Sequence, residues 1–330
     1  MKKIFFSFLL VFFLLFTKEA KAYTLNSETD QVYLGGETVG LKLNTGVKVL
    51  KTFAIVDGVY LLKPWEDAGI KEEDIILSYN GIKITSTNDL LSALQDNKDK
   101  LVPMTVLRGE NEISTKIKPV MKDDSYSLGI YVKDNVLGVG TLTYVIPEVN
   151  IFGALGHKIE GAKNIGGQMF EATVTGIKKG SVGDAGSKQA TIKTTNIGTI
   201  EKNTITGLHG IYSGHKSDKK LIRIARKEEV HTGEAMIVTC VDKNYVDYFK
   251  IDIIAVQKQK SKDIKGIKFI VTDERLLAKT NGIVQGMSGS PIIQDDKLIG
   301  AVTHVLVNNP HEGYGIYIEF MLDDMGVILE

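Results

Sequence analysis

Between residues 125 and 330 the apolar positions come in short alternating runs, at 139–145, 170–177, 190–192, 222–225, 235–241, 249–256 and 268–271, separated by glycine and other turn residues. Alternation with a period of two predicts strands, and their even recurrence predicts an all-β barrel or sandwich. On a scale of about 150 residues per domain, the segment has room for two small barrels. The densest pattern is 282–300, where the tight turn Gly286-Met287-Ser288-Gly289-Ser290-Pro291 stands between two apolar stretches. The second stretch, 291–307, is broken by Gln294-Asp295-Asp296-Lys297, the pattern of a buried hairpin.

The first 120 residues read differently. Lys2 and Lys3 precede an apolar run over 4–16, and Ala20-Lys21-Ala22 fits a small-x-small cleavage site. As a helix that run rises only about 20 Å, short of a hydrocarbon core of roughly 30 Å. Length therefore favours a cleaved signal peptide over a membrane anchor for residues 1–22, and either would take the rest of the chain across a membrane. Residues 23–36 read as a polar linker. From 37 to 120 the pattern is a small α+β unit. Strands are expected at 39–43 and 47–50, and Asn80-Gly81 marks a hairpin turn. A helix is expected over 88–97, with Leu90, Leu91 and Leu94 on one face and Thr87 or Asn88 as N-cap. Two further strands follow at 104–107 and 113–117.

Charge narrows the function classes. Forty basic residues balance forty acidic ones with no basic block, so nothing electrostatic points to nucleic acid. The single cysteine, Cys240, excludes an intrachain disulfide and a cysteine-based zinc cage, and its apolar surroundings make it a buried structural thiol. No metal or cofactor is expected.

Ser288 on the glycine turn is the candidate nucleophile, since glycines there leave its hydroxyl accessible and let backbone N–H groups converge on one point. Acyl transfer needs an accessible Oγ, a base and a pair of oxyanion donors. His157, in Gly153-Ala154-Leu155-Gly156-His157, is the candidate base because small residues before it would let a serine approach the ring. His304 reads as a satisfied strand histidine, and His209, His215, His231 and His311 read as solvated. Asp273, at the end of the 268–271 strand, could orient the imidazole or could equally cap a short helix over 274–279.

Several stretches carry resemblances. Ala68-Gly69-Ile70, Glu73-Asp74-Ile75 and Asn80-Gly81 resemble the signature of bacterial PDZ domains, with Glu73 where a glycine is usual. That resemblance implies peptide recognition by strand addition, with Val47 and Val49 on the groove edge. The turn G-x-S-G-S-P is similar to G-x-S-G-G-P of chymotrypsin-like serine peptidases, although Met287 replaces the aspartate that pairs there with a freed N-terminus. Taken with Gly153–His157 and Asp273–Leu277, the block 282–319 resembles the stage IV sporulation protein B serine peptidase family.

The resemblance implies a mainly β protein: a small α+β PDZ domain, then a chymotrypsin-like double β-barrel over 125–330. It implies Ser288 as nucleophile, His157 as base, Asp273 as the acidic member, and the N–H groups of Gly286 and Ser288 as the oxyanion hole. It also implies export across the forespore inner membrane and self-cleavage near the N-terminus. The target would be a membrane-bound regulator of an intramembrane protease, whose cutting triggers late sigma-factor processing. The competing readings are an inactive PDZ adaptor and an envelope quality-control protease.

Overall fold

The computed structural model describes residues 23–43, 46–109, 111–134, 137–159 and 166–330. The expected signal or anchor at 1–22 lies outside these residues. The main body is a fourteen-stranded sheet that closes on itself at both ends. In the first barrel the neighbours run Ile151–Ala154, Gly207–Tyr212, Ser187–Thr204, Gly167–Lys178, Thr38–Leu43 and Leu137–Val145, and the last pairs back onto the first. In the second they run Lys297–Leu306, Pro291–Gln294, Gly233–Asp242, Tyr245–Val256, Ile267–Val271 and Asn309–Tyr317, which pairs back onto Lys297–Leu306. Closure leaves no sheet edge to solvate, and it places alternate side chains inside. Leu41, Phe152, Met169 and Leu208 fill the first interior, and Phe249, Ile267, Ile292 and Leu298 fill the second. The expected double β-barrel is thus present.

The domain boundaries differ from those expected. Residues 23–36 are not a linker: Tyr23–Leu25 pairs with the C-terminal strand Val327–Leu329, and Gln31–Leu34 joins the barrels. Gln31–Leu34 pairs with Leu137–Val145 of the first barrel and with Leu221–Ile224, which runs beside Lys297–Leu306 of the second. Residues 38–43 belong to the first barrel, not to the PDZ unit. Sequence pattern could not separate these cases, because a barrel strand and a PDZ strand share the same period of two.

The PDZ unit is therefore an insert between Thr38–Leu43 and Leu137–Val145. It has its own core of Val47, Val49, Ile76, Leu90, Leu94 and Val106. Asn80 and Gly81 both take left-handed φ in the expected hairpin turn. The helix spans Thr87–Asp96 and is capped by Ser86, one residue before the expected caps, with Asp89 completing a capping box. Glu73 sits at φ 72°, the conformation that explains the usual glycine there.

The groove edge is misplaced in the sequence reading. Val47–Thr52 is flanked by Ile75–Tyr79 on one side and Ile130–Asp134 on the other, and Val47 and Val49 are fully buried. Ile130–Asp134 is the outermost strand on that side and lies beside the helix Thr87–Asp96. A peptide adding to this edge would meet Ile130–Asp134.

A chain begun at Glu37 removes only what a linker would make dispensable. It should melt about 10 °C or more below the full-length chain, the equivalent of several kcal/mol at roughly 2–4 °C each. An unchanged transition by circular dichroism would restore the linker.

Candidate active site

The turn at 286–290 is built by constraint on its glycines. Gly286 and Gly289 sit at φ +91° and +90°. A Cβ on Gly289 would lie 2.1 Å from the Thr141 carbonyl oxygen and 2.4 Å from the Leu155 nitrogen, so only glycine allows the two backbones to approach. Met287 is fully buried and anchors the turn in the second barrel's core.

The hydrogen bonds of the turn alternate. The Gln285, Met287, Gly289 and Ser290 N–H groups donate to the carbonyls of Gly186, Val284, Val302 and Met287. Among the described residues, no carbonyl takes the N–H of Gly286 or of Ser288. The carbonyls on the same peptide planes are engaged, Gln285 O by the Lys188 N–H at 2.8 Å and Met287 O by the Ser290 N–H at 2.9 Å. A planar trans peptide holds its N–H opposite its C=O, so each free N–H points away from the donor that holds its carbonyl. The first barrel grips the turn from below. Thr141 donates its N–H to Ser288 O and its hydroxyl to Gly286 O, and Thr143 donates its hydroxyl to Gly289 O.

His157 leaves the first barrel through two left-handed residues, Leu155 at φ 68° and Gly156 at φ 70°. A non-glycine residue held there carries backbone strain of about 1–3 kcal/mol. Its Nδ1 lies 2.9 Å from the Lys158 carbonyl. A carbonyl only accepts, so Nδ1 carries the proton and Nε2 carries the lone pair a base needs. The His157 ring lies 5.2 Å from that of His304, centroid to centroid. Ser288 Oγ donates to the carbonyl of Thr303, the residue before His304, at 3.1 Å. The serine hydroxyl thus rests on the carbonyl of the residue before His304, not on an imidazole. His304 is not the satisfied strand histidine expected. Its Nδ1 is buried without a partner among the described residues, and burial, then the neighbouring His157, hold its pKa below the usual value.

Asp273 is not brought to this group. It caps the helix Glu274–Thr280, accepting from the N–H groups of Arg275 and Leu276, from the N–H of Lys250 and from the Arg275 guanidinium. None of the hydrogen bonds Asp273 makes among the described residues reaches His157, His304 or Ser288. Burial alone would raise its pKa, but the hydrogen bonds from Arg275 and the backbone prevail and hold it low. His209 also departs from expectation: it is fully buried, bonds Thr206, and has its pKa pushed down to about 4 by burial. His231 sits at the surface beside Asp295, as expected. Lys158, Thr141 and Thr303 carried no signal in the sequence, since main-chain acceptors and hydroxyls look alike at any position.

A family model described as SpoIVB peptidase S55 matches residues 124–322, and one described as a PDZ domain matches residues 64–108. No curated protein matches the chain. Among solved structures, the Rv3671c protease from M. tuberculosis in its active form aligns over 58% of this chain and 73% of its own, at 14% identity and a TM-score of 0.32.

Asp273→Ala should cost about 1–2 kcal/mol as a lost N-cap. The folded-state pKa of this carboxylate is depressed, so its contribution is present above the ordinary carboxylate pKa and lost as pH falls through the folded value. The melting difference between wild type and variant should accordingly be present at pH 7 and fade in acid. Fluorophosphonate labelling of Ser288 should survive in the folded variant. Its abolition there would show that the carboxylate reaches His157 in another conformation.

Proposed function

The chain belongs to the SpoIVB peptidase S55 family, a serine peptidase with a PDZ domain, and on that premise we propose that Ser288 is its nucleophile, His157 its general base, and the N–H groups of Gly286 and Ser288 its oxyanion hole. The observation that carries this reading is the alternation in the turn, which leaves those two N–H groups free beside the serine. To react, Ser288 turns its hydroxyl from Thr303 to His157 Nε2. The base takes the proton as Oγ attacks the scissile carbonyl, and the two N–H groups hold the developing oxyanion. The imidazolium then protonates the leaving amine, and water repeats the sequence to release the acid product. The Lys158 carbonyl holds the ring in its reactive tautomer, the part the resemblance gave to Asp273. A carbonyl dipole stabilises imidazolium less than a carboxylate does, and Asp273 keeps the capping role.

We place the enzyme as an exported endopeptidase of sporulation signalling that cuts itself near the N-terminus and then a membrane-bound regulator of an intramembrane protease. The family's membership and the apolar run at 4–16 support this reading. On the side of an adaptor without activity stand the Ser288 hydroxyl resting on Thr303 and the helix-capping role of Asp273.

Chains from Tyr23 onward, as wild type, Ser288→Ala and His157→Ala, followed by intact-mass spectrometry, test the chemistry. The wild type should shorten at its N-terminal region, while both variants stay whole. Loss of self-cleavage by at least about a thousandfold is the scale of a missing nucleophile or base. Equal shortening of all three would point to a contaminating protease and remove the support for Ser288. Broad digestion of casein would favour the quality-control reading.

A further inference from the structure

Directly beneath the turn lies a lysine that the chemistry above does not use. Lys188, on Ser187–Thr204, is only 6% exposed. Its Nζ donates to three hydroxyls, Thr239 at 2.9 Å, Thr141 at 3.2 Å and Thr38 at 3.3 Å. Among the described residues no carboxylate pairs with it. Cys240 is the titratable group that faces it, and burial pushes that thiol up, so it stays neutral and supplies no counter-charge. Glu37, just before the strand Thr38–Leu43, is bound to Lys219 instead. A buried ammonium without a partner is costly, and here it is tolerated because each of its three N–H groups finds an oxygen.

Those oxygens lead into the turn. The Thr141 hydroxyl, receiving from Lys188, must give its own proton onward, and it gives it to Gly286 O at 2.8 Å. Thr239 receives from Lys188 and also from the Ser290 hydroxyl at 2.9 Å. The Lys188 main-chain N–H holds Gln285 O, and its methylenes lie 3.1–3.4 Å from where a Cβ of Gly286 would stand. One residue therefore contacts the turn through its backbone, its stem and its terminal nitrogen.

We infer that Lys188 is a positioning residue of the catalytic turn: through its own N–H and Thr141 it fixes the peptide planes on either side of Gly286, and through Thr239 it holds Ser290, whose N–H holds Met287 O, so that the N–H groups of Gly286 and Ser288 stay aimed at the substrate. This rests on the oxyanion-hole reading of those two groups. Lys188 touches no substrate. The charged amine drives the Thr141 proton toward Gly286 O. The neutral amine has one donor fewer and a lone pair that can accept a proton back from a threonine, which loosens that direction. Burial pushes the Lys188 pKa down to about 7, so both states are reached near neutrality.

The test measures the second-order rate of Ser288 labelling by a fluorophosphonate, with Ser288→Ala as blank. Labelling of the wild type establishes the nucleophile independently; its absence would sink the underlying reading before any variant is compared. Lys188→Met, which keeps the stem, should label at least about tenfold more slowly while retaining its circular dichroism spectrum, in the range seen when an oxyanion donor is disturbed. The wild-type to Lys188→Met rate ratio should be larger below pH 7 than above it. A merely structural brace would give a ratio independent of pH, and a ratio of one throughout overturns the inference. If Lys188→Met does not fold, Thr141→Val and Thr141→Ser decide: slow labelling in the first and recovery in the second support the relay, and equal rates overturn it. Stability gives an independent sign. A lysine with a lowered folded pKa releases its proton on folding between about 7 and 10.5, so the wild type should gain melting temperature over Lys188→Met as pH rises through that window.

Discussion

The site depends on the seam where Leu137–Val145 of the first barrel meets the 286–290 turn of the second. Thr141 and Thr143 satisfy three carbonyls of that turn, and Gly289 lies against the backbones of Thr141 and Leu155. Buried carbonyls left without donors would cost about 1–3 kcal/mol each, so the turn's conformation and the docking of the barrels hold each other in place. Once the turn's carbonyls are engaged, the planarity of the peptide decides where the remaining N–H groups point. The two N–H groups proposed as an oxyanion hole are what remains when the rest of the turn's hydrogen bonding has been completed.

The same strand explains the chain's unusual order. The PDZ unit leaves the first barrel after Thr38–Leu43 and returns to it at Leu137–Val145. Its outermost strand, Ile130–Asp134, comes immediately before the strand that grips the turn. Edge strand and catalytic support are thus neighbours in the chain, while the unit keeps a core of its own. An insert with its own core needs only its two ends fixed in the host barrel, and those ends fall on adjacent, paired strands.

The acid–base half of the site is less complete than a triad. A main-chain carbonyl sets the tautomer of His157, a second imidazole stands beside it, and the serine hydroxyl is parked on Thr303. Asp273 meets the needs of a helix terminus and of Arg275, which together use both of its oxygens.

By itself the sequence determined many of the local events: barrel strands such as Gly233–Asp242 and Tyr245–Val256, the Asn80-Gly81 hairpin, the PDZ helix and the Gly286–Ser290 turn, though not Ile151–Ala154, Gly207–Tyr212 or Asn309–Tyr317. Each rests on periodicity or on a backbone conformation only certain residues take up, and both are written in neighbouring residues. It also singled out Ser288 and His157 as candidates, because glycines mark close approach. What only the tertiary structure decided was which strands pair. A strand's period does not name its partner, so 23–43 went to a linker and the PDZ unit, and Val47 and Val49 to a groove edge that belongs to Ile130–Asp134. Capping and charge relay ask for the same aspartate, and only the hydrogen bonds Asp273 makes in the fold separated them. Lys188 lies furthest from sequence reading: a lysine in a polar stretch reads as surface, and only the closing of two barrels around it turns it inward.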